Sequence, residues 1–435
     1  MTGAVKLFRT DRPFPRIGRT LPPAAAPLSP GELLQGLRGV LRPRREMARF
    51  EAELKDFFQV RHCFPVSSGT TALYLLLRAL QQLRPGRDEV IIPAYTCFSV
   101  PSALIRAGLK ITLCDNDAGT LDFDFTRLEQ LLERAAATGR LLCVLPTHLF
   151  GLPADVPRLR SLLVAKGLAE VPVIEDAAQA MGATDGEGRK LGTLGDAGVF
   201  SFGRGKAVAL GEGGVIVTGR DDLARALRPL AAGLAPYSPF ALLRLVTMTA
   251  ALSLLIRPAW FWLPKALPWL KLGETIYDPE FAARRFSGFQ AGLARSWPAK
   301  LKRLQAIRAE QAAALAAALP SGLRPCRPAG GGNPLRLPVR AKNLETRDAI
   351  VAGSDRRGLG IMPGYPATVA GIAALKNRVG GLPVPNAAAL AEELLTLPVH
   401  GFVTAEDRRR TAVFLAGMRP SGQREALPLA GQEEA

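Results

Sequence analysis

AGVFSFGRGKAVALGEGGVIVTG, residues 197–219, holds two nearly continuous apolar runs, AGVFSF and GGVIVTG, on either side of a glycine-rich turn that carries one lysine, Lys206. Strands that are apolar without the polar alternation of a half-wetted sheet are buried on both faces. The same pattern recurs in DEVIIPAY (88–95), LKITLCD (109–115), LLCVLPTH (141–148) and VPVIEDA (171–177). Helical patterns such as TTALYLLLRALQQL (70–83) and DVPRLRSLLVAKG (155–167) lie between several of these runs. This succession predicts an α/β fold built on a mostly parallel sheet covered by helices.

Outward from that block, the chain divides by composition. Residues 1–30 are rich in proline and arginine and read as an extended arm. Residues 31–235 form the expected large domain, opening with a helical pattern, GELLQGLRGVLRPRREMARFEAELKDFF (31–58), that Pro43 breaks. Residues 236–275 are an apolar, tryptophan-rich insertion with Trp260, Trp262 and Trp269 beside Lys265 and Lys271. Its run Leu245–Ile256 would span ~18 Å as a helix at ~1.5 Å per residue, short of the ~30 Å hydrocarbon layer. Tryptophan beside basic residues on an apolar surface suits a membrane interface, and it suits internal packing equally. Residues 276–333 read as connecting helices, 334–418 as a small C-terminal α/β lobe with candidate strands in LRLPVRA and LLTLPVH, and 419–435 as a polar tail.

The 435 residues carry 56 Lys+Arg against 38 Asp+Glu, a net charge of +18. That balance favours anionic partners without choosing among phosphorylated substrates, nucleic acid and acidic membrane. No helix-turn-helix or zinc pattern supports a nucleic-acid role, so none is expected. The five cysteines form no CxxC pair, and with three histidines they suggest no metal site. Reduced thiols point to the cytoplasm, and the basic N-terminus lacks the apolar core of a secretory signal.

Three short stretches carry chemistry. SSGTTAL (67–73) sets small hydroxylated residues before an apolar helix, which suits a phosphate at the helix N-terminus and suits a plain N-cap as well. VPVIEDAAQA (171–180) ends a buried strand in two acids, and a carboxylate there needs a cationic or hydrogen-bonding partner. FSFGRGKAVALGEGG (200–214) fails as a GxxxxGK[ST] phosphate loop, because Phe200 and Ala207 stand where glycine and serine or threonine are required. A lysine in a tight, apolar turn loses charge stabilisation, which favours the neutral amine a Schiff base requires.

In this order the motifs resemble the DegT-type sugar aminotransferases, pyridoxal-phosphate (PLP) enzymes of the aspartate-aminotransferase fold (fold type I). The resemblance runs through RFEAELKDFFQV, SSGTTAL, DEVIIPAYT, THLFGLPADV, IEDAAQAMGA, LGTLGDAGVFSF with its lysine and GEGG, and LLTLPVH. It implies that Lys206 is the Schiff-base lysine and proton shuttle, that Asp176 partners the pyridinium nitrogen, and that Gln179 sits at the phenolic oxygen. It implies that Ser68, Gly69, Thr70 and Ser201 hold the phosphate and that Phe98 lies by the ring. His148 and Glu212 match motif positions with structural or substrate-facing roles, and Asp196 reads as structural. The family's usual ring-stacking aromatic is replaced by Cys97, with Phe98 next. The asparagine that reaches the partner subunit's phosphate is replaced by Ala283, where Arg284 or Arg285 offers a substitute. Its dehydratase branch carries histidine in place of the lysine, so Lys206 argues against that branch. The resemblance implies a homodimer that moves an amino group from a donor such as glutamate to a nucleotide-linked keto sugar in glycan or polysaccharide biosynthesis. The alternative is a family member reduced in catalysis that acts as a membrane-surface or regulatory partner.

Overall fold

The computed structural model describes residues 17–267, 275–327 and 330–418. The N-terminal half begins with α1 (Pro30–Leu41) and α2 (Pro43–Phe58), separated at Pro43. Then follow β1 (His62–Val66), α3 (Gly69–Leu83), β2 (Glu89–Pro93), α4 (Ser99–Arg106), β3 (Lys110–Cys114), α5 (Phe125–Thr138) and β4 (Leu141–Val144). Next come α6 (Val156–Ala165), β5 (Ile174–Asp176), β6 (Ala197–Ser201), β7 (Gly214–Thr218) and α7 (Asp221–Ala232). The insertion forms α8 (Pro239–Leu255) and α9 (Trp262–Lys265), and α10 (Gly288–Leu293) and α11 (Trp297–Ala317) lead on. The C-terminal part holds β8 (Arg324–Pro325), β9 (Leu337–Arg340), α12 (Leu344–Arg357), β10 (Met362–Pro363), β11 (Val379–Gly381), α13 (Pro385–Glu393), β12 (Leu394–Leu397) and α14 (Ala405–Ala416).

Two four-stranded sheets, β1-β7-β6-β5 and β11-β3-β2-β4, meet where bridges Val144 to Val173 and Thr147 to Asp176 join β4 to β5 in parallel. The sheet is parallel except at β7, which lies antiparallel between β1 and β6. The cause is local: only the loop 202–213, with no helix in it, joins β6 to β7, and so short a link cannot make a parallel crossover. Strands β2, β4 and β7 are buried along nearly their whole length, as continuous apolar sequence requires. Helix α3 covers one face with a buried row that includes Ala72, Leu76 and Leu80, while α5 and α6 pack with β4 on the other. A smaller antiparallel sheet, β10-β12-β9-β8, carries the C-terminal core of Val339, Ile350, Leu395 and Leu397.

The segment read as a small lobe also contributes to the large sheet: β11 pairs in parallel with β3. Helix α1 crosses α10 closely at Gly39, where an added Cβ would strike the carbonyl of Gly288. The long helical stretch expected after residue 288 is interrupted at 294–296, which separates α10 from α11. In the insertion, α8 has 17 residues rather than the 12 expected. At ~1.5 Å per residue it still falls short of the ~30 Å layer, and no described helix is long and apolar enough to cross a membrane. Trp269, Lys271 and the 419–435 tail lie outside the described residues.

Candidate active site

The carboxyl ends of the parallel strands open on one face, where the switch in strand connections leaves a crevice. Asp176 is the last residue of β5 and Ser201 the last of β6, while Thr147 and His148 follow β4, and Cys97 and Phe98 follow β2. The loop after β6 is closed by hydrogen bonds from the Phe202 N–H to the Gly213 carbonyl (2.8 Å) and from the Leu210 N–H to the Phe202 carbonyl (2.9 Å). Gly205 adopts a left-handed φ of 71°, which turns the chain into Lys206. The Arg308 guanidinium donates to the carbonyl of Ala207 (3.3 Å) and fixes the far side of the lysine.

Lys206 is half-buried. Burial lowers its pKa below the usual lysine value, opposed by Cys97 and Asp176 and assisted by Arg336. Asp176 is 7% exposed, and its Oδ1 accepts the Ala178 N–H at 3.0 Å. Burial raises its pKa, against that hydrogen bond and the nearby Lys206. No guanidinium or ammonium among the described residues is hydrogen-bonded to this carboxylate. A buried carboxylate in that position calls for a cationic N–H.

Three further observations test whether the residues fit PLP. The Gln179 side chain donates from Nε2 to the Tyr365 hydroxyl (2.8 Å), while its Oε1 is buried and has no partner among the described residues. At the start of α3, the Ser68 hydroxyl takes the Thr71 N–H (3.0 Å), and the Thr70 N–H has no partner among the described residues. Gly69 lies so near β6 that an added Cβ would stand 3.0 Å from the Ser201 Cβ. A helix N-terminus with a free N–H beside a serine hydroxyl is a phosphate cradle. With an unpaired buried carboxylate and a half-buried amine on the same cavity, the residues fit PLP.

The remaining expected residues are accounted for. Phe98 is buried and stacked on Tyr365 with ring centroids 6.5 Å apart, while the partly exposed Cys97 thiol accepts the Ser99 hydroxyl (3.1 Å). His148 and Glu175 form a fully buried pair at 2.8 Å. His148 Nδ1 accepts the Ala154 N–H, so Nε2 donates to Glu175, which also accepts the N–H groups of Gly192 and Gly195. That network is structural, like Asp196 between Arg160 and Arg220. Glu212 accepts the Tyr237 hydroxyl at 3.1 Å. Ala283 leaves its two neighbours unequal: the Arg285 guanidinium is taken by the carbonyls of Ala232 and Leu234, whereas that of Arg284 lies 5.5 Å from the Tyr237 ring centre.

Two residues that no motif signalled also belong here. Tyr365 follows β10, and its ring meets Tyr95, Phe98 and Phe150, the last at 6.0 Å. Arg336 directly precedes β9, with its guanidinium 5.1 Å from the Phe150 ring centre. Both come from the smaller sheet, in sequence that carries no recognisable signature.

The fold is that of the fold-type I PLP transferases. Residues 35–236 match the model of the DegT/DnrJ/EryC1/StrS aminotransferase family. GDP-perosamine synthase of Caulobacter vibrioides is 39% identical over 186 residues, which cover 43% of this chain and 47% of that protein. The chain thus spans about half the length of the curated relatives it matches. Likeness of fold extends further. The crystal structure of S. venezuelae DesV is 26% identical, with a TM-score of 0.67 over 88% of this chain and 94% of that one. E. coli GDP-4-keto-6-deoxy-D-mannose-3-dehydratase with bound hydrated PLP is 20% identical, with a TM-score of 0.72 over 92% and 100%.

Proposed function

We propose that this chain is a PLP-dependent aminotransferase, homodimeric and cytoplasmic, moving an amino group from an amino acid such as glutamate to a nucleotide-linked keto sugar for glycan or polysaccharide synthesis. The observation that carries the reading is Lys206 and Asp176 within electrostatic reach across one cavity, each shifted by burial toward its neutral form. Bound PLP would supply the electron sink that stabilises a carbanion at the substrate carbon. Asp176 would accept the hydrogen bond of the protonated ring nitrogen, Gln179 would meet the phenolic oxygen, and Phe98 would flank the ring. Ser68, Gly69, Thr70 and Ser201 would hold the phosphate. The Lys206 Nζ, neutral at lower pH than an exposed lysine, would take the proton from the donor carbon and return one to the acceptor. The sugar class is supported by the relative named GDP-perosamine synthase. The test is a coupled assay with glutamate and a nucleotide-linked keto sugar, followed by mass spectrometry of the aminated product. A visible absorption band from the purified protein, lost on borohydride with the label on the Lys206 peptide, is expected. A colourless protein that does not bind PLP overturns the reading.

A second reading adds a surface role to the same molecule. Helix α8 presents Phe240, Leu243 and Leu254 to solvent, and Trp260 follows it at 51% exposure. Between Ser238 and Leu267 the only charges are Arg244, Arg257 and Lys265. Arg257 also borders a cavity of about 810 Å³ lined by Arg19 and Arg303 and by Lys300, which is paired with Glu32. An apolar face flanked by Arg244 and Arg257, with Lys265 paired to Asp355, suits peripheral docking on an anionic membrane.

A further inference from the structure

Among the described residues, the groups assigned to the cofactor leave the cation Arg336, near Lys206, without a task. Arg336 is fixed from two directions: the Leu335 N–H donates to the Phe150 carbonyl (2.7 Å), and the guanidinium lies on the Phe150 ring at 5.1 Å. Phe150 stacks on Tyr365, whose hydroxyl accepts the Gln179 amide at 2.8 Å, so the guanidinium stands two rings away from Gln179. It shares its surroundings with Lys206, Cys97 and Tyr365. Among the described residues it makes no hydrogen bond and no ion pair, and it remains partly exposed. The contrast with its neighbours is instructive. Arg340 on the same strand is paired with Glu393 at 2.7 Å, and buried Arg308 donates to two carbonyls.

An arginine left unpaired in a low-dielectric cavity is costly unless an anion visits it. The one acid facing Lys206, Asp176, is occupied in the reading above. We propose that Arg336 binds a carboxylate of the amino-acid donor through a charge-assisted, forked hydrogen bond. This rests on the aminotransferase reading. The acceptor's diphosphate is a poorer candidate on chemical grounds. The α-carboxylate of an amino acid is bonded directly to the carbon whose proton Lys206 would move. A nucleotide diphosphate hangs from the sugar's anomeric carbon, bonds away from a keto carbon elsewhere on the ring.

The experiment separates the donor from the phosphate sources. Wild type, Arg336→Gln and Arg336→Lys, each loaded with PLP, are mixed with glutamate in the absence of acceptor, and the dissociation constant is read from the absorbance change. Calorimetry gives the affinity for succinate, a dicarboxylate that cannot be transaminated. The expected result is a weakening of at least 50-fold for both ligands in Arg336→Gln, a smaller one in Arg336→Lys, and PLP affinity within threefold of wild type in both. Donor and succinate affinities unchanged in Arg336→Gln overturn the proposal. So does a loss confined to PLP or to the nucleotide sugar, which would assign the guanidinium to a phosphate. A wild type that binds PLP but gives no absorbance change with any amino acid would instead strike the aminotransferase reading itself.

Discussion

Lys206 and Asp176 divide the work of one cavity, and substitutions separate their parts. Lys206→Ala removes both the covalent anchor and the proton carrier, so transamination is expected to vanish while folding persists, as steady-state assays and circular dichroism would record. Asp176→Asn keeps the volume and removes the charge, leaving the ring nitrogen without its anionic partner. A fall of at least ~10²-fold in kcat is expected, about 2.7 kcal/mol of barrier, and a change under threefold would place Asp176 outside the chemistry. Both residues were singled out by the order of the motifs and the resemblance it carries, because a loop lysine or an acid at a strand end is ambiguous on its own. Arg336 and Tyr365 were not. They sit in LRLPVR and PGYPA, which have no spacing or charge pattern of note, and they join the site by packing on Phe150 and Tyr95 far away in sequence.

At the level of elements, apolar continuity gave the buried strands of the large sheet, and Pro43 marked the break between α1 and α2. Strand β1 escaped notice because HCFPV is half-exposed and holds a proline, and β11 because VGG is nearly side-chain-free. The orientation of α8 was also hidden. The helix turns Thr249 inward onto Gly211, whose left-handed φ of 81° and missing Cβ make the room, and leaves Phe240, Leu243 and Leu254 outward. The Thr249 hydroxyl is buried without a partner among the described residues. Thr249→Val fills the same space without the stranded polar group, so urea unfolding should show a gain of about 1 kcal/mol. The outward face makes its own prediction. Wild type should float with anionic liposomes, and a Phe240→Ser/Leu243→Ser/Trp260→Ser variant should stay in the soluble fraction while still loading PLP. If wild type does not float and the variant falls apart into monomers, that face belongs to a dimer contact and the membrane reading is lost.

Across the whole molecule, the two ends of the described chain are tied at His400. Its Nδ1 accepts the Phe402 N–H, so Nε2 donates to the carbonyl of Pro22 at 2.7 Å, and burial pulls its pKa down to about 4. A base held neutral in the fold contributes stability above the unfolded value of ~6.5 that is lost as the pH falls toward 4, about 3 kcal/mol in all. Denaturation at pH 7.5 and 4.5 should show that loss in wild type and a much smaller one in His400→Gln. The pairing of β11 with β3 joins chain ends in another sense, one that concerns synthesis. Cys114 ends β3, but the strand that covers its edge ends at Gly381, 267 residues later (381 − 114). At ~5–20 residues per second a ribosome takes about 15–50 s to make that interval. For that time the nascent chain carries an open parallel edge of KITLC, a template for any other strand in reach. The large sheet can be completed only after residue 381 has been translated, so a chaperone that guards that edge on the ribosome would favour correct pairing.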